Sequence, residues 1–115
     1  MAFDIFLADR LRILMKEKSI AFYEKKMFGG LCFMVDDKMC LGLMFNKKHG
    51  LELLMVRIGD DACQKNNSRL GFNPMDFTGR PMKGFAFIGP EGYDSDDDLE
   101  HWVQLCIEFN PLAIE

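Results

Sequence analysis

Long apolar runs are missing from this sequence of 115 residues. No segment approaches the roughly 18–20 consecutive apolar residues that a helix needs to cross a bilayer. The first residues, Met1-Ala2-Phe3-Asp4, also lack the basic start of a secretory signal. We therefore expect a soluble, cytoplasmic protein that has no membrane among its partners.

An excess of positive charge is missing as well. Fourteen Lys and Arg residues against eighteen Asp and Glu residues leave a formal net charge of -4. That is the wrong overall sign for a protein that neutralises many phosphates of a nucleic acid, although it is compatible with a local basic patch. Because 49% of the residues are hydrophobic and 28% are charged, we expect residues 1–115 to form one domain with a single core, which excludes a disordered chain.

Metal-binding side chains are few, and their spacing does not suit a metal. The four cysteines are Cys32, Cys40, Cys63 and Cys106, and no two of them have the two-to-four-residue spacing of a zinc site. A hairpin that turns at Asp36-Asp37 would set Phe33 opposite Cys40 and place Cys32 on the other face of the sheet. We expect thiols that pack as small hydrophobic side chains, with no metal and no cofactor.

A local catalytic arrangement is missing too. Of the two histidines, His49 lies in a polar stretch and His101 falls opposite the apolar stripe of a late helix, which predicts a solvated side chain. The acidic run from Asp94 to Asp98 starts like a calcium loop but lacks the later glycine and glutamate of such a loop. We interpret Ser95 as the N-cap of the helix instead, and we expect that the protein is not an enzyme.

The spacing of apolar residues predicts helices at both ends of the chain and strands between them. The predicted elements are a helix over Phe3–Lys18, strands between Tyr23 and Ile58, a short helix within Asp60–Arg69, a linker bracketed by Pro74 and Pro81, a strand over Phe85–Ile88 and a helix over Asp96–Phe109. This order, α-β(3-4)-α-β(2)-α, predicts an α+β two-layer sandwich with an antiparallel sheet of about five to six strands flanked by helices. An exposed edge strand makes a homodimer possible.

The segment Lys26-Met27-Phe28-Gly29-Gly30 is richer in special residues than a plain core requires. Gly29 and Gly30 permit positive φ and close backbone approach, so they suit a tight turn between strands or an anion-binding turn beside Lys26. The Lys and Ser/Thr that follow the last glycine of a P-loop are replaced here by Leu31 and Cys32, and the spacing of a dinucleotide fingerprint is missing too, which favours the tight turn.

The segment from Pro74 to Gly84 has two prolines, two glycines, one carboxylate and two cations, which predicts a rigid, shaped loop. Asp76 and Thr78 can bond nearby amides, and Gly79 can adopt a left-handed conformation.

The cations of this loop have two interpretations. Arg80, held extended by the proline that follows it, either braces the loop by pairing with Asp76 or recognises a partner together with Lys83. Arg57 is a third cation of interest because it lies on the strand face of Leu53 and Met55. If Arg57 is buried it needs a carboxylate, and Asp76 is the candidate.

Four motifs together resemble the N-terminal domain of the TfoX/Sxy family of bacterial competence regulators. They are Lys26-Met27-Phe28-Gly29-Gly30, Leu54-Met55-Val56-Arg57, the stretch from Met75 to Gly84, and Trp102 followed by Phe109-Asn110-Pro111. The resemblance implies an antiparallel sheet flanked by helices, and a link to transcription of DNA-uptake genes in cooperation with the cyclic-AMP receptor protein. Full-length members have a second, helical domain, and this chain stops at Glu115, so we expect a stand-alone version.

Three functions are compatible with these residues. We expect a non-enzymatic protein-interaction module, an adaptor in transcriptional control whose protein partner meets Arg80 and Lys83. One alternative is direct DNA binding through Lys25, Lys26, Arg80 and Lys83. The other is a small anionic-ligand-binding or enzymatic site near Gly29-Gly30 and the loop of Asp76.

Overall fold

A computed structural model describes residues 4–27, 30–46, 50–76 and 81–113 of the chain, with the backbone alone at 27, 46, 74–76 and 81–83. The helices are α1 (Ile5–Glu17), α2 (Asp60–Asn66), α3 (Pro90–Tyr93) and α4 (Asp96–Phe109), and a 3₁₀ turn, Asn110–Leu112, follows α4. The strands are β1 (Tyr23–Met27), β2 (Gly30–Val35), β3 (Lys38–Asn46), β4 (Leu51–Arg57), β5 (Phe72–Asp76) and β6 (Pro81–Ile88).

The six strands form one antiparallel sheet in the order β1-β2-β3-β4-β6-β5. Strand β4 lies between β3 and β6, and its residues from Leu53 to Val56 are all buried. A strand with apolar side chains on both alternating faces is expected in the interior of a sheet. The predicted α+β class, with an antiparallel sheet and flanking helices, is confirmed.

The β2–β3 hairpin turns at Asp36 and Asp37, which have φ angles of 54° and 63°. Two successive positive φ angles are typical of the tight turn that matches the twist of a hairpin. Phe33 lies opposite Leu41 rather than Cys40, because a bulge between Phe33 and Met34 leaves Cys40 as an extra residue. The predicted pairing is wrong at this point.

All four helices lie on one face of the sheet. Their apolar side chains pack with those of the strands in a core whose largest fully buried members include Trp102, Phe33, Leu11 and Met15. The Trp102 indole N–H donates a hydrogen bond of 2.9 Å to the carbonyl of Gly92, so the ring is buried with its polar atom satisfied.

The ends of the long helices follow from local hydrogen bonds. The predicted helix over Asp96–Phe109 has those bounds in the structure, and Ser95 Oγ accepts a 3.1 Å hydrogen bond from the N–H of Asp98. Helix α1 begins later than predicted because the side chain of Asp4 caps it, accepting from the N–H of Phe6 at 2.8 Å.

Two predictions about the second half of the chain are wrong. The segment bracketed by Pro74 and Pro81 is not a linker, because Pro74 lies in β5 and Pro81 begins β6. The short helix α3 was also not predicted, since its residues Gly89-Pro90-Glu91-Gly92 are typical of a turn that ends a strand.

Candidate functional site

The face of the sheet opposite the helices carries its own apolar cluster. We call it the helix-free face; its members are Cys32, Met34, Met39, Met55, Phe85 and Phe87. All six side chains come from strands, and in the described ranges no helical residue belongs to the cluster. Cys32, Met34 and Met55 are only 2%, 7% and 4% exposed. Methionine is an adaptable side chain at binding surfaces, which makes this face a candidate for contacts with a partner.

Strand alternation explains how the face is built. Along β4, Leu54 and Val56 point into the core under the helices, and Met55 points to the other side. Gly42 lies opposite Met55 in the neighbouring strand. A Cβ at Gly42 would lie 2.9 Å from the carbonyl oxygen of Leu31 and 3.0 Å from the Met55 methyl group. The glycine therefore lets Met55 cross β3 towards Cys32.

Arg57 lies at the end of β4 on this face, as the sequence predicts. The β4–β6 register sets it opposite Phe85, and its guanidinium carbon lies 5.2 Å from the centre of the Phe85 ring. A guanidinium over an aromatic face is stabilised by about 0.5–1 kcal/mol at exposed sites and keeps its charge. The contact therefore holds a cation at the end of the apolar cluster.

The β5–β6 hairpin extends past this end of β4. Asp76 pairs with Pro81 in the register, and the carbonyl of Gly84 accepts hydrogen bonds from the N–H groups of Ile58 and Gly59 at 2.9 and 3.1 Å. Gly84 has a φ of 84°, a left-handed conformation that favours glycine. The described ends of this hairpin, Asp76 and Pro81, therefore lie beyond the Arg57 end of β4.

Several predicted site residues belong to this hairpin but cannot be compared with their expected roles. Thr78, Gly79 and Arg80 lie outside the described residues, and only the backbone is described at Asp76 and Lys83. The pairing of Arg57 with Asp76 stays a prediction, as do the two interpretations of Arg80.

Gly30, the second residue of the glycine pair, has a packing role at the start of β2. Met27 pairs with Gly30 and a Cβ at Gly30 would collide with the carbonyl oxygen of Leu43, so the close approach of β2 and β3 requires glycine there. Lys26 is exposed in the edge strand β1, and Gly29 lies outside the described residues. The choice between a tight turn and an anion-binding turn stays a prediction, because residues 28 and 29 lie outside the described ranges.

The four cysteines are free thiols, and burial changes their acidity. Burial raises the pKa of Cys40 to about 12 and raises that of Cys106 well above its usual value. The pKa values of Cys32 and Cys63 are also raised by burial. Thiols with raised pKa values stay protonated at neutral pH, and the thiol is a far weaker nucleophile than the thiolate. Cys32 and Cys40 lie in different clusters, which confirms the predicted opposite faces.

His101 is not the solvated side chain that the sequence predicts. Its ring is half-buried edge-on against Trp102, 5.1 Å between centres, and Nε2 lies 3.0 Å from Asn66 Oδ1. Burial lowers the pKa of His101, which favours the neutral ring. The helical wheel missed this because the contact comes from Asn66 of α2, which is distant from α4 in the sequence. His49 lies outside the described residues.

The described ranges contain neither a metal-binding cluster nor a membrane-spanning helix. No three His, Cys, Asp or Glu side chains there come together in a way that could hold a metal ion. No helix in those ranges is long and apolar enough to cross a membrane.

Sequence reasoning missed Phe85 as the residue that positions Arg57. The pattern Phe85-Ala86-Phe87 does predict two phenylalanines on one face of a strand. It cannot show that Phe85 meets Arg57, because the register of two strands separated by α2 and β5 is not visible in the sequence.

Comparisons with known proteins agree with this architecture. The family model described as the TfoX N-terminal domain matches residues 19–110. A crystal structure of a protein from Pseudomonas syringae, a structural genomics target, is similar with a TM-score of 0.60 and 11% sequence identity, over 86% of this chain and 93% of that one. At such low identity this likeness shows the fold alone. No curated protein matches the sequence.

Proposed function

Because this chain belongs to the TfoX N-terminal domain family, we propose that it is a non-enzymatic protein-interaction module that acts in transcriptional control. Its partner is a protein of the transcription apparatus, and its contact surface is the Arg57 end of the helix-free face together with the β5–β6 hairpin.

One observation carries this proposal: Arg57 and the described ends of the β5–β6 hairpin, Asp76 and Pro81, lie at the same end of the sheet. Arg80 and Lys83 belong to that hairpin in the sequence. Arg57 at the end of an apolar cluster, with two further cations in the adjoining hairpin of the sequence, favours a partner segment that presents carboxylates beside apolar side chains. The contact of Arg57 with Phe85 fixes one of these cations before the partner arrives, which lowers the entropy lost on binding.

The chemistry of the described residues supports binding over catalysis. The buried thiols have raised pKa values, and the half-buried His101 bonds an amide rather than a carboxylate or a nucleophile. A tuned acid or base close to a nucleophile is what most enzyme sites require.

The test is affinity capture from extract of the source cells, with mass spectrometry and three purified baits. These are the wild type, an Arg80→Glu/Lys83→Glu variant, and a Lys16→Glu/Lys65→Glu control that makes the same charge change at exposed positions of α1 and α2. We expect an RNA polymerase subunit or a DNA-binding regulator to be captured by the wild type and the control, and to be lost with the hairpin variant. Melting temperatures of the three baits should agree closely.

Four outcomes contradict the proposal. Capture of no transcription component by the wild type, or equal capture by all three baits, removes the proposed contact surface. A hairpin variant that melts far below the control shows instead that Arg80 braces the loop. Tight binding of the purified protein to DNA at about 50 mM salt, with a steep loss of affinity as salt rises, replaces the proposal by direct DNA binding.

A further inference from the structure

A groove runs between α1 and α4 on the helix layer, away from the helix-free face. We call it the α1–α4 groove; it has a volume of about 310 Å³. Its lining residues are Arg10, Ile13, Leu14 and Glu17 of α1, and Asp96, Asp97, Leu99 and Glu100 of α4. The floor of the groove is apolar: it consists of Leu99, which is buried, and Leu14, which is half-buried.

Helix α1 has a second apolar strip beside this groove. Leu7, Leu11 and Met15 are buried in the core, whereas Phe6 and Ile13 are 81% and 56% exposed. On a helix of 3.6 residues per turn, positions seven apart share a face and lie about 10 Å from each other along the axis. The strip of Phe6 and Ile13 therefore extends the apolar floor outward along the side of α1.

The rim of the groove is acidic. The single cation of its lining, Arg10, is already satisfied: one guanidinium nitrogen lies 3.1 and 3.0 Å from the carbonyl oxygens of Tyr93 and Asp94 and 3.3 Å from Asp96 Oδ1. Glu100 has only a long contact, 3.9 Å, with Lys18. In the ranges that the structure describes, Glu17 and Asp97 take part in no ion pair.

We propose that the α1–α4 groove docks a cationic amphipathic helix of a partner protein. The apolar side of that helix covers Ile13, Leu14 and Phe6, and its Lys or Arg side chains pair with Glu17, Asp97 and Glu100. An amphipathic helix that binds in a groove between two helices buries its apolar face against both of them. Charge complementarity selects this occupant, since the rim would repel a second copy of its own acidic surface and would repel the phosphates of a nucleic acid.

This surface is separate from the one in the proposed function. The α1–α4 groove lies among the helices, whereas Arg57 and Phe85 lie on the opposite face of the sheet. Either surface can therefore fail its test without affecting the other.

The probe is a synthetic peptide of about 18 residues with leucines on one helical face and lysines on the other, long enough for five helical turns. A second peptide replaces every lysine with glutamate. Binding is measured by fluorescence anisotropy, and the contact surface is mapped by NMR chemical shifts. We expect the cationic peptide to bind at least about tenfold more tightly than the acidic one, a difference of about 1.4 kcal/mol. Added salt should weaken its binding because the rim charges are exposed.

Matched variants locate the contact. Glu17→Lys/Glu100→Lys should weaken binding of the cationic peptide about tenfold, and Ile13→Ser should weaken it without lowering the melting temperature, because Ile13 is exposed. The control Glu91→Lys/Glu108→Lys makes the same charge change at exposed positions on α3 and near the C-terminal end of α4, outside the lining of the α1–α4 groove, and it should leave the affinity within about twofold.

Three results would overturn the proposal. One is equal binding of the cationic and acidic peptides. Another is an Ile13→Ser variant that binds as the wild type does. The third is a set of shifts that map to the other acidic groove, between α2 and α4, where Asp60 and Glu108 border Leu105 and Phe109; the control variant would then lose binding instead.

Discussion

The Gly30→Ala substitution tests whether the close approach of β2 and β3 requires glycine at the first residue of β2. A Cβ at this position would collide with the carbonyl oxygen of Leu43 and lie 2.9 Å from the Cβ of Met44. The obstacle is the backbone of β3, so no side chain can rotate away, and the two strands must separate locally.

The magnitude follows from two opposing effects. Overpacking costs about 1–3 kcal/mol, and the smaller entropy of an unfolded chain with alanine returns about 0.4–1 kcal/mol. We therefore expect a net loss of about 1–2 kcal/mol in the free energy of unfolding, which lowers the melting temperature by about 4–8 °C for a domain of this size.

The assay is urea unfolding followed by the fluorescence of Trp102, the one tryptophan of the sequence, which is fully buried. Thermal melts of the wild type and of the variant are also recorded in phosphate and in chloride of equal ionic strength, since an anion-binding turn would make phosphate stabilising. A variant that is as stable as the wild type refutes the packing argument. Stabilisation of the wild type by phosphate, lost in the variant, restores the anion-binding interpretation.

Three further predictions concern capping, pH and thiol reactivity. Ser95→Ala should lower the free energy of unfolding by about 1 kcal/mol, because the N–H of Asp98 loses its acceptor, whereas Ser95→Asp should stay close to wild type in the same urea titration. Burial raises the pKa of Glu52 above its unfolded value of about 4.3, so its contribution to stability is present below that pH and is lost as pH rises through the folded pKa. Glu52→Gln should therefore be more stable than wild type at pH 7 and should lose that advantage at pH 3.5; an unchanged difference across pH would contradict the burial effect. Native protein treated with N-ethylmaleimide should be modified first at Cys63, the one half-buried thiol, and mass spectrometry that finds Cys106 modified first would show that α4 opens readily.

The sequence predicts well those elements whose causes are local. Ser95 predicts the start of helix α4 because it is a good N-cap residue. The apolar stripe of Leu99, Trp102 and Val103 predicts the face of the helix that is buried. The buried character of β4 follows in the same way from Leu53 to Val56, which are apolar on both faces.

The errors come from features that depend on distant contacts. Strand β5 contains Pro74, which argues against a central strand, yet proline is tolerated here because β5 is at the edge of the sheet. The bulge beside Met34 shifts the register of β2 and β3 by one residue without any signal in the sequence.

The candidate site likewise combines features that the sequence predicts with features that depend on distant contacts. Alternation alone places Arg57 on the face of Met55, whereas its contact with Phe85 depends on the register of β4 and β6, which the sequence does not contain. The exposed position of Phe6 and Ile13 could be predicted from the helical wheel of α1, but the acidic rim across the groove required the packing of α4.

The strand order has a consequence for how the chain folds. Strands β1 to β4 pair with their neighbours in the sequence, so their contacts close short loops. Strand β6 pairs with β4 although α2 and β5 lie between them in the sequence. Helix α4 comes later in the chain and packs on the sheet. Because short loops close at a smaller entropic cost, we expect the four-stranded meander to form before β6 joins it, with Trp102 buried last. The β5–β6 hairpin also pairs neighbours in the sequence, so it would form early and join β4 late.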